Sequence, residues 1–403
     1  MATVTMSRPP RRHDLDALRV LAFGVLILYH LGMAYVPDWG WHVKSQYPSE
    51  WLQLPMMVVN RWRMPLLFLL SGLAIGLYDP SRHPWRFMRD RTLRLLLPLG
   101  FAMVATIPVQ AYCQGVFNGK VAPGFLSFLA DYFAFRPWPE GAFDGSDIGI
   151  TWNHLWYLPY LWTYTVVLAL AVPLLESAPG RRAMARVAGA GWPALLLLVA
   201  GVAFGAMCLL ADAWPPANNL FADWYQHAVF FPVFLLGFVL ARGGHDPATL
   251  VRARGRLLAV ASSLALVYLP LAFSADVPTG SALQVALRAL RALYMAAALL
   301  AILAWGRHLL ARPTRWLPAA SEAVFPWYIL HQTLIVWLVF VLSPMALGPV
   351  LEPMAVLAGT VGGCWLLHGG LIERFAWLRP VFGLKPRAAS HGRKIAATAS
   401  VVR

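Results

Sequence analysis

Ten apolar stretches, each close to twenty residues long, recur along the 403-residue chain and limit its fold more than any other feature. They cover residues 15–36, 55–77, 95–112, 153–175, 192–211, 225–241, 257–274, 283–305, 321–342 and 353–371. A helix rises 1.5 Å per residue, so about 20 residues cross ~30 Å of hydrocarbon. No stretch alternates with a period of two, which a membrane β-barrel requires. The expected fold is therefore all-α, a polytopic membrane protein of about ten transmembrane helices. Pro98, Pro108 and Pro270 blur the ends of the third and seventh stretches by a few residues.

Composition agrees. Hydrophobic residues make up 59% of the chain and charged residues 13%, about half the share of a soluble domain. The net charge of +15 does not point to nucleic acid, because the arginines lie in short runs between apolar stretches. Of the 33 Lys and Arg residues, 25 lie in the N-tail, the even-numbered loops and the C-tail. The five odd loops hold only Lys44, Lys120 and Arg136. By the positive-inside rule the spans alternate in register with both tails cytoplasmic. The chain divides into a basic N-tail (1–14), one ten-helix membrane domain (15–372) and a basic C-tail (373–403) expected to be partly disordered. The first stretch is too long for a cleaved signal and reads as an uncleaved anchor. Cys113, Cys208 and Cys364 share no metal-ligand spacing and read as small buried residues. Metal binding is not expected, and nothing in the residues reports on oligomeric state.

Five arginines fall inside the apolar stretches: Arg19, Arg61, Arg63, Arg288 and Arg291. Each costs roughly 2.5–3.5 kcal/mol on insertion scales, so such residues line cavities or find partners. Arg19 and His30 are eleven residues apart on the first span, about 20° apart around the helix and about 16 Å along it. One face thus carries a cation near the cytoplasm and an imidazole deeper in. Arg61 and Arg63 enter the second span near the depth of His30, but about 200° apart, so a continuous helix cannot point both into one pocket. Arg288 and Arg291 share a face of the eighth span. His154 and His227 open the fourth and sixth spans at the same level, and His331 lies within the ninth beside Gln332. The result is an outer-half polar layer. Trp39, Trp41 and Trp51 in the first loop fit either interface anchoring or a surface on which sugar rings stack.

A buried histidine with arginines at its depth and a basic cytoplasmic mouth suits acyl transfer across a membrane. Cations near the cytoplasm would hold the phosphates of an acyl-CoA. His30 would take the proton of an acceptor hydroxyl, and an arginine would stabilise the oxyanion or grip a carboxylate on the acyl chain. A proton-coupled transporter of a glycan or lipid-linked sugar would also need buried His and Arg, although no internal repeat is visible.

Arg19-x10-His30 after Leu15-Asp16-Ala17-Leu18, the run Arg63-Met-Pro-Leu-Leu-Phe-Leu-Leu-Ser-Gly72 and Tyr328-Ile-Leu-His331 together resemble the acyltransferase 3 family of membrane acyltransferases. Trp41-His-Val-Lys-Ser45 and His154-Leu-Trp-Tyr-Leu158 resemble a narrower branch, the glucans biosynthesis protein C type. The resemblance implies a bacterial inner-membrane O-acyltransferase. Its donor would be acyl-CoA, succinyl-CoA above acetyl-CoA, used as co-substrate with no permanently bound cofactor, and its acceptor a hydroxyl of a periplasmic glucan or related glycan. Membrane lipids surround it. On this reading His30 is the general base and Arg63 contacts the oxyanion or a carboxylate. Arg19, Arg288, Arg291 and His331 serve the CoA side, while Trp41, His42, His154 and Trp156 line the acceptor mouth. Arg61 has no counterpart in the pattern. Acetyl transfer to another extracytoplasmic glycan remains the alternative within the family.

Overall fold

The computed structural model describes residues 12–78, 80, 83–274 and 277–386. Arg8, Arg11, Arg82 and the tail beyond residue 386 lie outside the described residues. The chain's regular elements are all helices, and no strand occurs among the described residues. Its first half contains α1 (His13–Met33), α2 (Gln53–Asn60), α3 (Arg63–Tyr78), α4 (Pro84–Ala105), α5 (Ile107–Phe117), α6 (Phe125–Phe133), α7 (Tyr157–Leu175) and α8 (Ala178–Ala188). There follow α9 (Trp192–Leu210), α10 (Trp224–Arg242), α11 (Pro247–Arg252), α12 (Arg254–Ser274), α13 (Ala282–Leu309), α14 (Leu317–Leu342), α15 (Leu351–Leu367) and α16 (Leu378–Val381). Among the described residues nine helical stretches are long and apolar enough to cross a membrane, and the α4–α5 pair brings the number to as many as ten.

Proline explains both departures from straight spans. Pro108 opens α5, and α4 and α5 meet at Thr106 with a bend of 43°. Pro65 has no N–H, and its ring conflicts with the carbonyl four residues back, at Arg61. The second span accordingly breaks into α2 and α3 around Arg61 and Trp62. The third span also starts earlier than hydropathy suggests. Arg86, Arg89, Arg91 and Arg94, read from the sequence as loop charges, are helical residues of α4, which Pro84 opens at its first turn.

Among the described residues α3 and α10 make the most extensive helix pairing, and glycines lie along it. A Cβ on Gly237 would meet the Leu73 amide at 2.8 Å, and one on Gly76 would meet the Ala241 methyl at 2.7 Å. With Gly72 one turn from Gly76, this is the small-xxx-small surface by which membrane helices bring their backbones together. Around the bundle, Leu170, Leu209, Leu266 and Leu366 stand exposed, as lipid-facing side chains must. Residues 373–386, read from the sequence as the start of the tail, pack on the domain. Arg379 bonds Glu322 at 2.8 Å, and Phe382 lies 5.3 Å from Phe101. The long loop after α5 is also folded. Ala111, Phe128, Tyr132, Ala142 and Phe143 bury one another in a small core of their own.

Candidate active site

His30 projects from α1 into a cavity of about 1210 Å³. That exceeds the ~300–1,000 Å³ of an ordinary small-molecule pocket and leaves room for part of a polymer. Of the residues singled out from the sequence, Arg61, Arg63, Trp41, His42, His154, Trp156 and Arg291 line the same cavity. The loop residues Asp144, Asp147 and Trp152 line it too, as does the segment Pro216–Asn219.

The hydrogen bonds around His30 fix its tautomer. His331, fully buried on α14, has Nδ1 at 3.0 Å from the Trp327 carbonyl and 2.9 Å from the Tyr328 carbonyl. Carbonyl oxygens only accept, so this Nδ1 carries a proton. In the neutral ring Nε2 then keeps its lone pair, and it sits 2.9 Å from Nδ1 of His30. His30 Nδ1 must therefore be the donor, which leaves His30 Nε2 with a lone pair. That nitrogen has no partner among the described residues. The two imidazoles stack with centroids 5.1 Å apart and planes 5° from parallel. The orientation that a general base needs is thus set by the backbone of α14, two bonds away.

His154 and His42 are differently used. His154 donates from Nε2 to the Tyr328 carbonyl at 2.9 Å, and the Tyr328 hydroxyl donates to the His154 carbonyl at 2.6 Å. This reciprocal pair clamps the entry of the fourth span to α14. Asn153, just before it, has φ of +42°, a conformation that asparagine tolerates better than most residues. His42 donates from Nδ1 to Gln114 Oε1 at 2.7 Å and accepts from Gln332 Nε2 at 2.8 Å. With both nitrogens engaged it holds the first loop in place and is not free to act as a base. Lys44 fixes the same loop by donating to the Met33 carbonyl at the end of α1, at 2.9 Å. Burial pushes its ammonium below the usual lysine range, partly offset by Asp38.

The arginines separate into three groups. Arg63 lies 3.5 Å over the Tyr29 ring, and its buried Nε has no partner. Arg61 also lines the cavity, contrary to the expectation from a continuous helix, because the break before α3 turns it inward. Arg288, by contrast, is bonded to Asp212 and is absent from the cavity wall, so the expected Arg288–Arg291 pair does not act as one. Arg19 does not line the cavity either. It donates to the Leu70 carbonyl at 3.1 Å and lies within electrostatic reach of Arg91 and Arg94 toward the opposite, arginine-rich end. Between the two levels stand Tyr328, stacked on His331, and Tyr157, bonded to Ser71 at 2.7 Å and within reach of Arg19.

His227 is a packing residue, held by Tyr164 and the Leu220 carbonyl at 2.8 Å each. Trp51 is 87% exposed and Trp39 packs on Tyr29, so only Trp41 of the first-loop tryptophans faces the cavity. The sequence reading passed over Gln110, which bonds Thr333, Asn153 and Gln332 and braces the histidine cluster from α5. Its i, i+4 relation to Gln114, just past the end of the third apolar stretch, was the available signal. Arg91 and Arg94, at i, i+3 beside the apolar run of the third span, were another. No group of three or more His, Cys, Asp or Glu among the described residues could hold a metal ion.

The profile of the Acyltransferase domain matches residues 12–369, nearly the whole chain. The chain belongs to the acyltransferase 3 family. As a member of this family it is similar to Glucans biosynthesis protein C of Salmonella typhi, at 26% identity over 164 residues, 39% of this chain and 38% of that protein. It is also similar to the protein of the same name from Salmonella gallinarum, at 24% over 242 residues, 57% and 58% of the two chains. The chain thus spans between about four and six tenths of the curated relatives it matches. No solved structure matches this acyltransferase 3 family chain.

Proposed function

We propose that the protein is a membrane O-acyltransferase that moves an acyl group from cytoplasmic acyl-CoA to a hydroxyl of an extracytoplasmic glycan. The observation that carries this reading is His30, an imidazole with a fixed tautomer and an unpartnered Nε2 facing a large cavity that arginines and histidines also line. The acceptor oxygen attacks the thioester carbon while His30 Nε2 takes its proton. Arg63, desolvated over Tyr29 and beside His30, stabilises the tetrahedral oxyanion. Collapse breaks the C–S bond, and the thiolate leaves with the proton from His30 as free CoA thiol. Arg19, Arg91 and Arg94 at the other end suit the donor's phosphates, with the acyl arm reaching up past Tyr157 and Tyr328.

Succinyl as the acyl group and a periplasmic glucan as the acceptor are the favoured pair. The names of the relatives support the glucan. The excess of arginine in the cavity supports an acyl chain that carries charge, and Trp41, Trp152 and Trp156 offer aromatic faces to a sugar. This orientation requires the arginine-rich end to face the cytoplasm of the inner membrane, as the charge distribution indicates.

Purified protein given succinyl-CoA and glucan is expected to release free thiol in step with ester formation on the glucan. A transporter would release none, and absence of thiol release with every acyl-CoA offered would overturn the enzymatic reading.

A further inference from the structure

Arg61 and Arg291 have no role in the chemistry above. Both line the cavity, from the α2–α3 break and from α13, and they lie within electrostatic reach of each other. Neither guanidinium has a hydrogen bond or ion pair among the described residues, and the Nε of Arg61 is sealed from solvent without a partner. The neighbours of Arg61 are the rings of Tyr268, at 5.7 Å, Tyr225 and Tyr29, none of which supplies negative charge in its ordinary form. The nearby carboxylates are committed elsewhere or sit at the mouth. Asp223 accepts from Tyr160, Gln226 and the Ala217 amide, Asp212 holds Arg288, and Asp144 accepts from Gln114 on the exposed loop. Arg61, desolvated, with a second positive charge within electrostatic reach and no carboxylate paired to either, is unfavourably placed unless an anion joins the two.

We propose that Arg61 and Arg291 form an anion subsite in the wall of this cavity, built to grip one carboxylate or phosphate group carried by a reactant. This deepens the acyltransferase reading by assigning the pair to substrate selection. The anion is either the free carboxylate of a dicarboxylic acyl chain or an acidic substituent on the acceptor. A guanidinium fork serves both, through charge-assisted and bidentate bonds. Arg288, three residues from Arg291, makes the contrast within the same helix, because its charge is already met by Asp212.

The direct test needs no turnover. Full-length protein in nanodiscs is titrated with sodium succinate and, separately, with inorganic phosphate, and binding is read by calorimetry. Saturable binding of at least one anion is expected, weakened at least tenfold in Arg61→Gln and in Arg291→Gln and retained in Arg288→Gln. Arg61→Lys, which keeps the charge but loses the fork, should fall between. No binding to the unmodified protein, or equal binding in all variants, overturns the subsite whether or not the protein is an acyltransferase. Transfer assays then separate the sources. Loss of succinyl transfer by tenfold or more, with acetyl transfer altered less than threefold, assigns the anion to the acyl chain. Equal loss with both donors, confined to acceptors bearing acidic groups, assigns it to the acceptor. Loss in neither comparison overturns the assignment to substrate selection.

Discussion

His30→Ala is expected to lower acyl transfer by about 10²–10⁴-fold, the range for removal of a positioned general base. The ring leaves one side chain behind it, His331, which keeps its bonds to the Trp327 and Tyr328 carbonyls, so the helix packing survives. Membranes carrying the variant at normal protein levels, given labelled succinyl-CoA and glucan, supply the measurement. Transfer at the unmodified rate would remove His30 as the base and leave the unpartnered Nε2 without a chemical role.

The second large effect belongs to a fully buried residue that does not line the cavity. On the proposed reading His331 acts as a positioning residue: its Nε2 accepts the proton on His30 Nδ1 and so keeps the lone pair on the nitrogen that faces the cavity. His331→Ala removes that acceptor, and His30 is then free to adopt the tautomer with its proton toward the acceptor hydroxyl. The expected loss in kcat is about 10–100-fold, as for other partners that fix a working imidazole, with little change in KM. A purely structural role would give the same loss in every substitution. His331→Gln, whose amide oxygen can accept from His30, should recover most of the activity. Equal rates in the alanine and glutamine variants, at equal protein levels, would contradict the tautomer argument.

What the sequence disclosed follows the distance over which each feature is determined. The spans were legible because crossing hydrocarbon is a local demand on about twenty consecutive residues. The windows 153–175, 192–211 and 353–371 meet helical stretches at Asn153–Leu175, Trp192–Leu210 and Leu351–Ile372. The depth of His30 relative to Arg63 and His154 was legible for the same reason. Their convergence on one cavity was not, since it depends on how α1, α3, α7 and α14 pack. His331 was visible as a buried imidazole, but not as the partner of His30, 301 residues away in sequence. Arg61 was set aside because it has no counterpart in the family pattern and because the second span was treated as one helix, although Pro65 marks the break four residues later. Arg288 was grouped with Arg291 by helical spacing, while Asp212, in the loop after α9, decides its fate. Arg91 and Arg94 were counted as topology signals, a reading that topology satisfied and that therefore concealed their place beside Arg19.

The central claim is that an acyl group supplied at the arginine-rich side is passed to an acceptor bound at the His30 cavity on the other. Sealed, oriented proteoliposomes test it most directly, with labelled acyl-CoA confined to the side bearing Arg19, Arg91 and Arg94 and glucan confined to the opposite side. The expected result is labelled glucan in that arrangement, none when both reactants share either compartment, and a signal about 10²–10⁴-fold lower in that arrangement with His30→Ala. Labelled glucan formed only when donor and acceptor share one side, or at equal rates without His30, would contradict transfer through the bundle.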